Sequence, residues 1–278
     1  MDVTPKKALG QHFLTDLSAA RRIVDALVVP PEGREGEAAS SAAKPFPTLE
    51  IGPGMGVLTQ YLLQRKDLDL KAVELDPEAA SYILSHFPRM KGRLDGEDFL
   101  KMDLKAWFPK EYLIIGNFPY NISSQIFFRV LDERDRVPEV VCMIQKEVAE
   151  RLAEKPGSKT YGILSVFLQA WYDIEYLFTV PPGAFAPPPK VMSAVIRLRR
   201  NTRKELGVDE ALFRRIVKTS FGMRRKTLRN SLKIIALEKV SDPDKISAFL
   251  SAPVFDLRPE RLGVEDFIRL TGDFASLS

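Results

Sequence analysis

From residue 48 to residue 198, short apolar runs alternate with amphipathic ones, and this alternation leaves the chain few possible folds. The runs at 48–51, 70–75, 112–115, 140–144 and 194–198 have the length and apolar density of buried strands. Between them, 57–64, 77–86, 122–131 and 161–171 repeat their apolar residues at helical spacing. Strands alternating with helices predict an α/β fold, a mostly parallel sheet covered on both faces. Ahead of the first strand, Thr15 or Asp16 is placed to cap a helix carrying Leu17, Ala20, Ile23, Val24 and Leu27 on one face. Residues 30–47 are rich in Pro, Gly, Ala and Ser and read as a mobile surface loop. After about Asn201 the strand signal stops, and charged amphipathic helices follow near 209–220, 225–238, 243–250 and 264–271. The expected division is an α/β domain at 1–201 and a small helical domain at 202–278.

The 45% hydrophobic content of the 278 residues is enough for the cores of two unequal domains. No apolar run approaches the roughly 20 residues that span a bilayer, and no apolar signal region follows Lys6 and Lys7. The expectation is a cytoplasmic protein with no membrane partner. A lone cysteine, Cys142, excludes an internal disulfide, and two histidines argue against an imidazole metal site, so no metal is expected. The net charge of +4 is unevenly spread. Residues 190–233 hold fourteen Lys or Arg against three acids, so the remainder is acidic. That asymmetry fits either a nucleic-acid partner or a solvated basic helix face.

The first strand runs into Gly52-Pro53-Gly54-Met55-Gly56 and then a helix. Glycines there let a ligand approach the backbone, and the helix N-terminus favours negative charge. The spacing differs from the Gly-x-Gly-x-x-Gly of dinucleotide enzymes, which makes a nicotinamide oxidoreductase a distant reading. A cofactor with an amino-acid tail, such as S-adenosylmethionine, suits this turn as well or better. About 20 residues on, an acid can bind ribose hydroxyls. Asp76 precedes Pro77 and reads as a helix cap, which leaves Glu74 for the ribose. Asp98 falls near the expected end of a third strand and is either an acceptor for an adenine amine or an ordinary loop acid.

Asn117-Phe118-Pro119-Tyr120 follows another apolar strand. Asn and Pro make common turns, but the same four residues also form a clamp for a flat base bearing an amine. The Asn117 amide oxygen and the Phe118 carbonyl can accept the amine's two protons while the Tyr120 ring stacks on the base. Two such acceptors draw the amine toward tetrahedral geometry and free its lone pair. The proline-rich run 181–190 holds Phe185 either as a second stacking face or in the core. Arg224, Arg225, Lys226 and Arg229 crowd a helix start and are candidate phosphate contacts.

Taken together, these strings resemble the small-subunit ribosomal RNA adenine dimethyltransferases of the KsgA type. The likeness covers nearly the whole chain: residues 7–14, 50–56, 73–76, 117–123, 145–147, 185–190 and 224–232. It implies a Rossmann-like, S-adenosylmethionine-dependent catalytic domain with a mostly parallel seven-stranded sheet, and a small all-α C-terminal domain that binds RNA. The family's cofactor contacts carry over to His12, Leu14, Gly52, Glu74, Asp98 and Asn117. Its target clamp carries over to Asn117, the Phe118 carbonyl, Tyr120 and Phe185. Three departures stand out. His12 replaces a common Asn, Phe118 replaces the more usual Leu, and the 31–47 insertion has no counterpart. The resemblance implies dimethylation of two adjacent adenosines near the 3′ end of small-subunit rRNA in an assembling subunit; a monomer is expected. Two rivals share the scaffold, a large-subunit rRNA adenine methyltransferase of the macrolide-resistance type and a non-catalytic assembly factor. The long matches at 185–190 and 224–232 favour the small-subunit enzyme, and the intact clamp favours catalysis.

Overall fold

The computed structural model describes residues 3–30 and 44–277. Most of the stretch expected as a mobile loop lies outside the described residues. The chain divides into two compact units, Met1–Ala149 with Asp173–Arg200, and Glu150–Tyr172 with Asn201–Ser278. This differs from a single cut at residue 201, because residues 150–172 group with the C-terminal helices. The reason is packing. Tyr161 lies against Phe221 and Phe167 against Phe213, ring centroids 6.4 and 6.2 Å apart.

The first unit contains, in order, β1 (Phe13–Leu14), α1 (Leu17–Asp25), β2 (Phe46–Ile51), α2 (Thr59–Leu62), β3 (Leu68–Val73), α3 (Pro77–His86), β4 (Leu94–Asp95), α4 (Leu104–Trp107), β5 (Leu113–Asn117), α5 (Ser123–Asp132) and β6 (Glu139–Gln145). Helices α6 (Lys146–Ala153) and α7 (Ile163–Gln169) follow, then β7 (Tyr172–Val180), β8 (Phe185–Ala186) and β9 (Ser193–Arg200). Seven strands form one sheet in the order β4-β3-β2-β5-β6-β9-β7. Pairings from β4 to β6 are parallel, and β9 runs antiparallel to β6. The mostly parallel seven-stranded sheet is thus present. One of its strands and the helix after β6 were not legible in the sequence. Edge strand β7 interleaves Asp173, Glu175 and Thr179 with its apolar residues, which blurs the strand signal. Helix α6 is largely polar.

Strands β2 and β5 lie side by side, while β3 and β4 extend one way and β6 the other. Connections therefore leave β2 and β5 toward opposite sides, opening a crevice at their carboxyl ends. Helix α1 is capped by Asp16, which accepts from the Ser18 and Ala19 amides. It buries Ala19, Ala20, Ile23 and Val24, whereas Leu17, expected on the same face, is 52% exposed at the first turn.

The second unit is helical, with α8 (Glu210–Gly222), α9 (Leu228–Lys239), α10 (Pro243–Leu250) and α11 (Val264–Ser276) after α7. Phe213, Ile216, Leu232, Ile235, Phe267 and Phe274 are buried, and Phe249 packs on Phe255 and Phe274. Among the described residues, no helix is long and apolar enough to cross a membrane.

Candidate active site

A cavity of about 370 Å³ opens at the ends of β2 and β5, a volume typical of small-ligand sites. Its floor is the turn after β2. Gly52 has φ +66°, which favours glycine, and a β-carbon there would lie 3.9 Å from the Asn117 carbonyl. Gly54, at φ +56°, lies so close to Phe13 that a β-carbon would sit 2.9 Å from the ring. A side chain at either position would fill the cradle or collide.

Glu74 forms one wall. Its carboxylate accepts from the Gly54 and Asp76 amides, both at 3.0 Å, so it ties the turn to the end of β3. Burial raises its pKa against these bonds. Each carboxylate oxygen keeps a second lone pair for a ligand. Asp76 caps α3 by accepting from the Glu78 amide at 3.0 Å. It also binds Gln11 Nε2 at 2.9 Å and the Lys6 ammonium. Burial pushes its carboxyl up, but these partners together hold it below the usual range. Asp76 thus pins the segment whose residues 8–14 line the cavity, a role the sequence reading lacked. Leu75, 51% exposed, and Asp98 line the far end. Asp98 lies beyond the short β4, and its Oδ1 closes a turn onto the Leu100 amide at 3.0 Å.

Asn117 is the last residue of β5. Its Nδ2 donates to the His12 carbonyl at 3.0 Å, which turns the amide so that Oδ1 is left to accept from a ligand. Phe118 is 1% exposed and donates its amide to the Met143 carbonyl at 3.0 Å, fixing the peptide that follows Asn117. The Tyr120 hydroxyl bonds Ser193 Oγ at 2.5 Å, and the His12 ring stacks on Tyr120 with centroids 5.6 Å apart. Nδ1–H of His12 donates to the Pro187 carbonyl at 2.9 Å. Nothing in the run around Ser193 marked it as the partner of Tyr120.

Phe185 is placed differently from its expected role as a stacking face. Strand β8 pairs antiparallel with β1, Leu14 opposite Phe185. This register turns both side chains into the apolar core, where they are 3% and 4% exposed. Leu14 still lines the cavity, whereas Phe185 does not. The ring beside Tyr120 is that of His12.

A ribosomal RNA adenine dimethylase profile matches residues 3–247. The chain belongs to that family. It is 57% identical to the ribosomal RNA small subunit methyltransferase A of Parabacteroides distasonis, over 97% of this chain and 93% of the relative. A dimethyladenosine transferase from Plasmodium falciparum shares its fold, with a TM-score of 0.76 at 22% identity over 95% of this chain and 98% of that one. The 23S rRNA methyltransferase ErmE superposes with a TM-score of 0.61 at 25% identity, over 95% of this chain and all of that one. This dimethylase is therefore an S-adenosylmethionine-dependent methyltransferase of ribosomal RNA adenine. The cavity fits that cofactor. Its glycine floor admits a chain, Glu74 offers acceptors to ribose hydroxyls, and Leu75 offers an apolar face to a base.

In the helical unit of the dimethylase, the basic candidates divide in two. Arg224 donates to the Lys159 carbonyl, and Arg229 binds the Leu250 carbonyl at 3.0 Å and Asp256 at 2.8 Å. Both guanidiniums make internal contacts while staying partly open to solvent. Arg225 and Lys226 are exposed in the turn between α8 and α9, and Arg229 is exposed as well, at the start of α9.

Proposed function

We propose that this enzyme dimethylates two adjacent adenosines in the loop of the 3′-terminal hairpin of small-subunit rRNA, acting as a cytoplasmic monomer on assembling subunits. The chain's 57% identity to a relative named for the small subunit favours this target over that of ErmE. The observation that carries the chemistry is the orientation of Asn117, whose amide nitrogen is spent on His12 and whose oxygen remains for the substrate. A loop adenosine flips out and stacks on Tyr120. Asn117 Oδ1 and the Phe118 carbonyl accept hydrogen bonds from its amine and hold the nitrogen lone pair toward the methyl donor. When bound, S-adenosylmethionine supplies an electrophilic sulfonium methyl, which transfers as the carbon–sulfur bond breaks and leaves a neutral thioether. The amine's proton passes to water. Positioning accounts for most of the rate, and no side chain acts as a general base. Arg225 and Lys226 bind RNA phosphates.

Asn117→Ala tests the clamp. Cofactor affinity by calorimetry is expected to stay within a few-fold while single-turnover methylation falls by about 100-fold or more, since the oxygen acts mainly in the transition state. Near-normal methylation by this variant contradicts the assignment.

A further inference from the structure

Outside residues 190–233 the chain is acidic on balance, yet one end of the sheet gathers cations. Arg65 and Lys66 follow α2, and Arg89, Lys91 and Arg93 lie together between α3 and β4. Arg65, Lys66, Arg89 and Arg93 line a cavity of about 520 Å³ that also has an apolar lining of Leu62, Leu68 and Leu70. It opens where β2 and β3 begin, whereas the cofactor crevice lies where they end. Each of these strands is 6 residues long, which puts the two cavities about 20 Å apart. The second cavity is therefore no part of the active site.

Exposed cations usually swing freely, but here the guanidiniums are held. Arg65 Nη1 donates to the Val24 and Leu27 carbonyls at 3.0 and 2.6 Å. Arg89 Nη1 donates to the Leu63 carbonyl at 2.5 Å, and Arg93 Nη1 to the Leu70 carbonyl at 3.1 Å. Oriented donors around a concave site lose little freedom when an anion arrives. The acids beside them, Asp67 and Asp69, are already paired with Arg65 and Arg93. Lys66, Arg89 and Lys91 are exposed and have no carboxylate partner among the described residues. Their charges are left over.

We propose that the rim of this cavity binds phosphates of the RNA backbone, as a second RNA contact at the opposite end of the sheet from the target base. The inference rests on ribosomal RNA as the substrate, not on which subunit carries it. A polyanion answers a cluster of uncompensated cations, and RNA presents one phosphate per nucleotide. A contact about 20 Å from the crevice grips RNA outside the reacting loop. It adds affinity for the large substrate and leaves the chemical step alone.

Subunit binding measured across a range of salt concentrations tests this. Lys66→Ala, Arg89→Ala and Lys91→Ala together should weaken binding about tenfold near 0.15 M salt and reduce the slope of log K against log salt by about 2, from three lost contacts. Affinity for S-adenosylhomocysteine and the single-turnover rate at saturating subunit should not change. If the triple variant fails to fold, Lys66→Ala with Lys91→Ala decides. Neither of those side chains has a hydrogen-bond or ion-pair partner among the described residues, and their loss should reduce the slope by about 1.4 to 1.8. Unchanged affinity and slope in a folded variant overturns the proposal, and so does weaker binding with an unchanged slope. The comparison is made on whichever ribosomal subunit the wild type binds. Binding to the large subunit would thus count against the proposed target while the test of this cavity still gives its answer.

Discussion

At the scale of single residues, the site is organised by polar atoms whose partners are already assigned. Asn117 is oriented because its Nδ2 donates to the His12 carbonyl, and Tyr120 because its hydroxyl is hydrogen-bonded to Ser193 Oγ. Glu50, buried in β2 with its Oε1 unpartnered, is the exception, and its cost has a pH signature. Burial first, then Glu74, push its carboxyl up to about 8 against the Thr59 hydrogen bond. The folded chain therefore holds a proton that the unfolded chain releases at ordinary carboxylate pH. The stability this contributes is complete below the unfolded pKa and is lost as pH rises through the folded one. Between pH 6 and pH 9 the loss for the cofactor-free enzyme should be on the order of 2–3 kcal/mol. Glu50→Gln keeps the shape without the charge, so it should flatten this dependence and be the more stable protein at pH 9. Urea melts at the two pH values measure the effect, and parallel losses in wild type and variant would show that Glu50 is not its source.

At the scale of elements, what was legible in the sequence is what depends on local pattern. The 77–86 helix and its Asp76 cap were readable because an acid before Pro77 has one natural use. The glycine turn was readable for a similar reason, since a strand running into clustered glycines has few conformations. Long-range partnerships were not readable. Lys6 and Gln11 reach Asp76 across some seventy residues, and β1 finds β8 across an even longer separation. Phe185 illustrates the limit, because proline content alone left two placements open and the pairing with Leu14 selects the core. The Asp76 contacts also change an expectation. Asp76→Ala should cost about 1 kcal/mol of stability through the lost cap. It should also weaken cofactor binding several-fold, because residues 8–14 lose their anchor. Thermal melts and calorimetry check the pair of effects, and unchanged cofactor affinity would mean the N-terminal segment is held by β1 alone.

At the scale of the whole molecule, a mostly parallel sheet supplies the cofactor crevice and a helical unit carries an exposed basic turn. The charge asymmetry was visible in the sequence, but which cations also reach neighbouring carbonyls and carboxylates was not. Arg225→Ala with Lys226→Ala should reduce the slope of log K against log salt for RNA binding by about 1.4 to 1.8, from two lost phosphate contacts. Replacing Arg224 or Arg229 should cost at most about 1 kcal/mol of stability, since their ion pairs are solvent-exposed. A double variant with unchanged salt dependence would place the RNA grip elsewhere. The most direct test of the whole account is transfer of tritiated methyl groups from S-adenosylmethionine to immature small subunits and to large subunits, with the modified nucleotides mapped. The account predicts four methyl groups per small subunit, two on each of two adjacent adenosines near the 3′ end, and none on large subunits. Methylation of large-subunit RNA instead, or of neither subunit, would contradict it.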